Sequence, residues 1–140
     1  DRDQLSFDIN NCDVVTKLKP TSNEINALEL GWKLVKYVKS NAIVFANDNQ
    51  VLAAGAGQMS RVDSVKNAIR KISETGLSLE GAIMASDAFF PFPDCIEIAA
   101  KAGIKSIIQP GGSIKDSDAI DVADDLGLSM LFTKARHFYH

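Results

Sequence analysis

Four segments of the sequence combine glycine, charged and aromatic residues in patterns that suit ligand binding. In the first, Gly55-Ala56-Gly57 precedes Ser60 and Arg61. Two glycines let a ligand approach the backbone, and a helix start offers free amides beside a fixed positive charge. However, Ser60 stands where a dinucleotide-binding fingerprint has its third glycine. An anion site and a tight strand-to-helix turn with a surface arginine are therefore equally consistent with this segment.

The second segment is an aromatic loop, residues 86–94, with the sequence SDAFFPFPD. Large apolar side chains are unusual in a loop, so its phenylalanines either fold back into the core or form the wall of a pocket for a flat ligand. Both interpretations stay open. Asp87 and Asp94 bracket the loop as possible hydrogen-bond acceptors.

The other two segments are a glycine turn and the C-terminal tail. For Pro110-Gly111-Gly112-Ser113 we favour a plain turn over a phosphate-binding nest. The tail, residues 134–140, is cationic and aromatic, and Arg136 suits a phosphate partner because its guanidinium is planar and forked. His137 and His140 have no metal-ligand set around them. The cysteine and histidine spacing of zinc deaminases is also absent from the sequence, so we expect no catalytic zinc.

Helical and strand patterns predict the elements that position these segments. Thr21 and Glu24 form a capping box, and Ser60 is the predicted N-cap of a second helix. The predicted helices cover residues 22–39, 60–76, 94–101 and 117–126. The predicted strands cover 42–46, 51–54, 82–85, 105–109 and 128–133, and residues 13–16 form a short strand or an extended arm. This alternation predicts an α/β sandwich with a largely parallel sheet, covered on both faces, that begins with one antiparallel hairpin.

Composition sets broad limits on the class of protein. The 140 residues are 46% hydrophobic and 24% charged, which fits one globular domain and excludes a disordered tail, a collagen-like rod or a membrane bundle. The net charge of −3 gives no footprint for nucleic acid or an anionic membrane. For Cys12 and Cys95 we favour free thiols in a reducing cytosol over one disulfide. The first residue, Asp1, predicts a processed product or a piece of a longer polypeptide.

Five segments, taken together, resemble one family. They are Lys39-Ser40-Asn41-Ala42-Ile43-Val44, Gly55-Ala56-Gly57-Gln58-Met59-Ser60-Arg61-Val62, Ala85-Ser86-Asp87-Ala88-Phe89-Phe90-Pro91-Phe92, Ile108-Gln109-Pro110-Gly111-Gly112-Ser113 and Arg136-His137-Phe138-Tyr139-His140. In this order and spacing they resemble the bifunctional purine biosynthesis family, which combines 5-aminoimidazole-4-carboxamide ribonucleotide (AICAR) formyltransferase with inosine monophosphate (IMP) cyclohydrolase. The resemblance covers nearly the whole chain, most clearly residues 21–140.

The resemblance implies a fold and an activity. Residues 21–140 would be the second of two cytidine-deaminase-like subdomains of the formyltransferase, a three-layer α/β/α sandwich, with residues 1–20 as an N-terminal arm or linker. The family transfers a formyl group from its cosubstrate, 10-formyltetrahydrofolate, to the 5-amino group of AICAR without a metal. It is cytoplasmic and homodimeric, with sites at the subunit interface.

The resemblance also shows what the chain lacks. The family's proton-transfer pair is an adjacent Lys-His in the first subdomain, and no Lys-His dipeptide occurs in this sequence. The cyclohydrolase domain is missing as well. We therefore expect the chain to be inactive alone and to need the other half of the formyltransferase as its partner. Two alternatives remain open: a non-catalytic nucleotide- or folate-binding module, and a structural dimerisation subdomain.

By the same resemblance, eight positions receive roles. Four would contact the ribonucleotide: Asn41 near the reacting amine, Arg61, Phe89 beside the imidazole carboxamide, and Arg136 at the phosphate. The folate would be held by Val62, Pro91, Phe92 and Asp94. The local pattern alone makes Asn41 only a polar residue before a strand. Two neighbours depart from the family: Pro93 stands where arginine is common, and Cys95 where a small or polar residue is usual.

Overall fold

The structure, a computed structural model, describes residues 9–38, 42–48, 50–55, 60–90 and 93–133. Within these residues, six strands form one sheet in the order β1-β6-β5-β4-β2-β3. The strands are β1 (Asp13–Val14), β2 (Ile43–Ala46), β3 (Val51–Gly55), β4 (Ile83–Ser86), β5 (Ser106–Gln109) and β6 (Ser129–Phe132). The helices are α1 (Ser22–Val35), α2 (Arg61–Thr75), α3 (Asp94–Ala102) and α4 (Asp116–Asp125).

Both faces of the sheet are covered, which confirms the three-layer sandwich. Alternate side chains of a strand point to opposite faces. In β2, Ile43 and Phe45 pack in a core with α2, α3 and α4, whereas Val44 and Ala46 pack in a second core with α1. Because β2, β4 and β5 are buried on both faces, their apolar residues occupy consecutive rather than alternate positions, and the polar residues of β4 and β5 stand only at strand ends.

The sheet is mixed, and the hairpin of β2 and β3 is antiparallel, as predicted. The parallel share is smaller than we expected. The described strands make two parallel pairings, β4 with β5 and β5 with β6, and three antiparallel ones. The difference arises because β2 also pairs antiparallel with β4, and because β1 runs back along β6. The description "mostly parallel" therefore holds only for the crossover-connected strands β4 to β6.

The segment before α1 packs against the sheet. Ile9 is buried beneath α1 in a short 3₁₀ turn, and β1 forms the edge strand beside β6. The Thr16 hydroxyl accepts a hydrogen bond from the Met130 amide at 2.9 Å and donates one to the Leu18 carbonyl at 2.9 Å. Part of the segment 1–20, which the sequence assigns to an arm or linker, thus joins the sheet as β1. The division of the chain at residue 21 stays a prediction.

Both predicted helix starts are confirmed. The Thr21 hydroxyl accepts from the Glu24 amide at 3.2 Å, and the Glu24 carboxylate accepts from the Thr21 amide at 3.0 Å. The Ser60 hydroxyl caps α2 by accepting from the Asp63 amide. Helix α1 ends at Val35, four residues before the predicted end. There the chain tightens into amide-to-carbonyl bonds three residues apart, at Tyr37 and Val38, which no longer continue an α-helix.

Candidate functional site

One edge of the sheet collects the segments that the sequence singles out. Strands β4, β5 and β6 run parallel, so they end at the same edge. Ile43, at the start of β2, pairs with Ser86 at the end of β4 and with Gly55 at the end of β3. The chain therefore enters β2 and leaves β3, β4, β5 and β6 at this edge, which we call the carboxyl edge. In open α/β sheets, ligands bind at such an edge.

An ion pair joins two of these segments. Arg61 is the first residue of α2, and Asp87 directly follows β4. The Arg61 Nη2 lies 3.4 Å from the Asp87 Oδ1, and the two side chains are only 17% and 13% exposed. The Asp87 amide also donates to the Ala42 carbonyl at 3.3 Å, just before β2. Asp87 thus connects the starts of α2 and β2 with the end of β4.

One described phenylalanine of the aromatic loop packs in the core. Phe90 is fully buried in the core beneath α2 to α4, whereas Phe89 is only half-buried at the carboxyl edge. A tight turn precedes them, because the Ser86 hydroxyl donates to the Ala88 carbonyl at 2.7 Å. Core packing is therefore the outcome for Phe90. The use of the loop as a ligand wall stays a prediction for Phe89, and Pro91 and Phe92 lie outside the described residues.

The start of α3 places an exposed carboxylate beside a buried thiol. Asp94 is exposed in the first turn, and Cys95 is buried. Burial raises the pKa of the Cys95 thiol to about 12; the positive charge of Arg61 opposes this rise, and Asp94 adds to it. The thiol therefore stays protonated and is a poor nucleophile or metal ligand at neutral pH. Neither Cys12 nor Cys95 forms a disulfide within the part of the chain that the structure describes, as we favoured from the sequence.

No group of three or more potential metal-binding side chains occurs within the part of the chain that the structure describes. His137 and His140, the two histidines of the sequence, lie outside that part. No helix among the described residues is long and apolar enough to span a membrane.

The glycine turn after β5 is a plain turn, as favoured. The Asp116 carboxylate accepts hydrogen bonds from the Gly112 amide at 2.8 Å and the Ser113 amide at 3.1 Å. A phosphate nest would need these amides for its ligand. Gly111 is buried with φ +74°, and a Cβ there would lie 2.7 Å from the Phe132 ring. Ile114, which follows Ser113 at the end of this turn, is 97% exposed.

The first glycine of the GxG segment has a packing role. A Cβ on Gly55 would lie 2.2 Å from the backbone oxygen of Ser64 in α2, so only glycine allows this approach of strand and helix. Residues 56–59, which include Gly57, lie outside the described residues. The anion-site interpretation of this segment consequently rests on Arg61, whose side chain is held at the edge by Asp87.

Four of the eight predicted site residues can be placed. Arg61, Val62 and Asp94 lie in the first turns of α2 and α3, and Phe89 lies in the loop after β4. Val62 is half-buried against the core beneath α2 to α4. These helix starts and this loop border the carboxyl edge. The other four predicted residues, Asn41, Pro91, Phe92 and Arg136, lie outside the described residues.

Two polar groups at this edge were not assigned a role from the sequence. From the sequence, Asp87 was only a possible hydrogen-bond acceptor. Its negative charge at a strand end and the positive charge of Arg61 at a helix start are the signal that could have indicated their ion pair. Gln109, at the end of β5, is 1% exposed. Its Nε2 donates to the Met130 sulfur at 3.5 Å, while its Oε1 has no partner among the described residues. A polar residue that ends the apolar strand Ser106–Gln109 is the signal that could have identified it.

Two buried side-chain atoms lack a hydrogen-bond partner among the described residues, the Nε of Arg61 and the Oε1 of Gln109. One is a donor and the other an acceptor, and both belong to residues at the carboxyl edge. Buried polar groups in native proteins are nearly always paired. Within the described residues, the buried side-chain atoms without a hydrogen-bond partner therefore all lie at the carboxyl edge.

The fold is that of the cytidine deaminases. The dCMP deaminase from the cyanophage S-TIM5, in its apo form, superposes with a TM-score of 0.54 at 23% sequence identity. The match covers 81% of this chain and 98% of that one. At this identity the likeness concerns the fold alone, and it confirms the cytidine-deaminase-like class.

The sequence identifies the family. A sequence model of the AICARFT/IMPCHase bienzyme family matches residues 1–71. The chain is 54% identical, over all 140 residues, to the bifunctional purine biosynthesis protein PurH of Bacillus cytotoxicus. It is 55% identical over 128 residues to the protein of the same name from Oceanobacillus iheyensis. The chain belongs to the AICARFT/IMPCHase bienzyme family, and it spans about a quarter of the length of these relatives, 27% and 24%.

Proposed function

We propose that this chain supplies the ligand-positioning part of a formyltransferase site that acts on AICAR and 10-formyltetrahydrofolate. Family membership supports the reaction, since the chain's relatives are bifunctional purine biosynthesis proteins. The observation that carries the proposal is the Arg61–Asp87 pair. It holds a guanidinium at the edge where the other predicted substrate-binding segments begin and end.

The chemistry of the reaction explains why positioning matters. The 5-amino nitrogen of AICAR attacks the formyl carbon, the bond between that carbon and N10 of the folate breaks, and the amine loses a proton. This amine is a poor nucleophile because its lone pair is conjugated with the ring and the carboxamide. Catalysis therefore depends on close placement of the two reactants and on proton transfer. The chain contributes placement; the proton acceptor is contributed by another part of the full-length protein.

Each proposed role suits its side chain. Arg61 donates hydrogen bonds to the ribonucleotide, and Phe89 packs against its ring. Val62 and Asp94 line the folate side. For the four positions outside the described residues the family roles stand as proposals: Asn41 near the amine, Arg136 at the phosphate, and Pro91 and Phe92 along the pterin. Ligand binding by aromatic and apolar walls with a few polar groups is typical of small-molecule sites.

The test uses a chimaera in which this chain replaces the matching part of the Bacillus cytotoxicus relative. We expect the chimaera to transfer formyl groups, and Arg61→Ala to lower its kcat/KM for AICAR at least tenfold, since a charged hydrogen-bond donor is lost. The unmodified relative serves as the positive control. An inactive chimaera, with the relative active and the chimaera folded, would count against the proposal.

The isolated 140-residue chain provides the second arm of this test. We expect no formyl transfer by the chain alone, because it contains no Lys-His pair. Turnover of both substrates by the purified chain, with contaminating enzyme excluded, would contradict this. Saturable AICAR binding that depends on Arg136, without turnover even in the chimaera, would favour the binding-module alternative.

A second candidate function, a structural subdomain that packs against other parts of a dimeric protein, is supported by the surface around β1. A groove of about 200 Å³ lies there, lined by Ile9, Asn10, Cys12, Val14, Lys19, Pro20, Ile25 and Leu131. Val14 is 40% exposed and nearby Leu18 is 53% exposed. Self-association of the isolated chain in light scattering, abolished by Val14→Lys, would favour this function; a monomer at all concentrations would count against it.

A further inference from the structure

We propose that Asp87 is a positioning residue, which fixes the Arg61 guanidinium in the orientation that the ribonucleotide requires. The proposal deepens the proposed function and rests on it for the identity of the ligand. It assigns Asp87 no contact with substrate. Its effect is transmitted through Arg61 alone.

Asp87 is itself held rigidly. It follows β4 directly, and its amide donates to the Ala42 carbonyl across to the start of β2. The preceding residue, Ser86, is fully buried, and its hydroxyl closes a turn with Ala88. A carboxylate on such a backbone has few orientations available, so it can define the position of a partner.

Arg61 depends on this carboxylate. The one hydrogen bond of its guanidinium within the described residues is the 3.4 Å contact with Asp87, and its buried Nε has no partner. A free arginine side chain samples many rotamers, and it loses this conformational freedom when it is fixed. A guanidinium that is already held when the ligand arrives does not add this ordering cost to binding.

The direction in which Asp87→Asn changes the ribonucleotide KM distinguishes a positioning role from two other roles for Asp87. Asp87→Asn removes the negative charge but keeps an acceptor oxygen of the same size. If Asp87 merely neutralised Arg61, the extra positive potential would tighten the binding of a phosphorylated ligand. If Asp87 only stabilised the fold, the stability would fall while KM stayed constant. If Asp87 positions Arg61, the ribonucleotide KM rises.

The first experiment examines Arg61 directly in the 140-residue chain by ¹⁵N relaxation of its Nε–H group. We expect an ordered Nε in the native chain and a clearly lower order parameter in Asp87→Asn. Glu29→Gln is the matched control, because it removes the carboxylate of the exposed Lys33–Glu29 pair with the same change in charge. Unchanged order at Arg61 in Asp87→Asn would overturn the proposal without reference to any enzyme activity.

The second experiment measures kinetics in the chimaera described above. We expect Asp87→Asn to raise the AICAR KM about tenfold with a smaller effect on kcat. Asp87→Glu should bring the KM part of the way back, and Glu29→Gln should change neither KM nor kcat. In an Arg61→Ala background, Asp87→Asn should add less than twofold, because the two residues act as one unit. A lower KM, an unchanged KM, or a full additional effect in that background would each refute the positioning role. An inactive parent chimaera would instead count against the proposed function.

Discussion

At the scale of single residues, Cys95 shows how burial rather than residue type decides reactivity. It lies in the first turn of α3 and near the positive charge of Arg61, and both features favour a thiolate. Burial outweighs both influences and raises its pKa to about 12. The side chain is therefore an apolar packing group of the core beneath α2 to α4.

The raised pKa predicts a pH dependence of stability. Above about pH 9 the Cys95 thiol ionises in the unfolded chain but stays protonated in the folded one. Because the unfolded state then binds fewer protons, the free energy of unfolding falls as the pH rises toward 12. Cys95→Ala should lower stability at neutral pH but make its decline above pH 9 shallower. Urea titrations of both chains from pH 7 to pH 11 test this; equal slopes would show that Cys95 ionises equally in both states.

For Gln109 we predict a substitution that increases the stability of the fold. The Oε1 of Gln109 is a buried acceptor without a partner in the described part of the chain, so Gln109→Met removes a desolvation cost and should raise the free energy of unfolding by about 1 kcal/mol. Ser86→Ala is the matched control at the end of the neighbouring strand. Its hydroxyl is hydrogen-bonded, and its loss should lower stability by about 1 kcal/mol. Urea denaturation measures both, and destabilisation by Gln109→Met would indicate that its amide is satisfied.

At the scale of elements, the contacts between strands and helices depend on two glycines. A Cβ on Gly31 of α1 would lie 2.9 Å from the Ile83 side chain, and one on Gly55 would lie 2.2 Å from the Ser64 backbone oxygen. The first clash can relax through the Ile83 side chain. The second cannot, because both partners are backbone, so Gly55 fixes how closely β3 approaches α2.

We therefore expect Gly55→Ala to lower the free energy of unfolding by about 3 kcal/mol through overpacking. Gly76→Ala is the control. Its φ is +79°, but a Cβ would meet nothing within 4 Å, so only the left-handed backbone costs stability, about 1 kcal/mol. Denaturant midpoints of the two variants distinguish a steric cost from a conformational one. Equal losses would show that strand and helix separate easily.

At the scale of the whole molecule, the sequence predicted the elements better than their arrangement. Caps such as Thr21 and Ser60 are local signals, and they locate helix starts to within a residue. Strand pairing is a long-range property. Nothing in the hairpin's sequence indicates that β2 lies antiparallel beside β4. The same limit applies to the site, because the Arg61–Asp87 contact joins residues 26 positions apart.

The sheet order predicts a gradient of local stability. Strands β4 and β5 lie in the middle of the sheet and are buried on both faces, whereas β1 is a two-residue edge strand that is exposed. Amides of β4 and β5 should exchange with solvent only on global unfolding, and those of β1 much sooner. Hydrogen exchange followed by mass spectrometry tests this. Protection of β1 equal to that of β5 would mean that the N-terminal segment unfolds together with the sheet.

The antiparallel direction of β2 also has a practical consequence for engineering. It places the hairpin tip, where the Asn47 amide donates to the Gln50 carbonyl at 3.0 Å, at the end of the sheet opposite the carboxyl edge. The tip residue Asp48 is exposed. A fluorescent label or a short inserted epitope at this tip would be separated from the carboxyl edge by the length of the hairpin, which makes the tip a reporter position away from the proposed site.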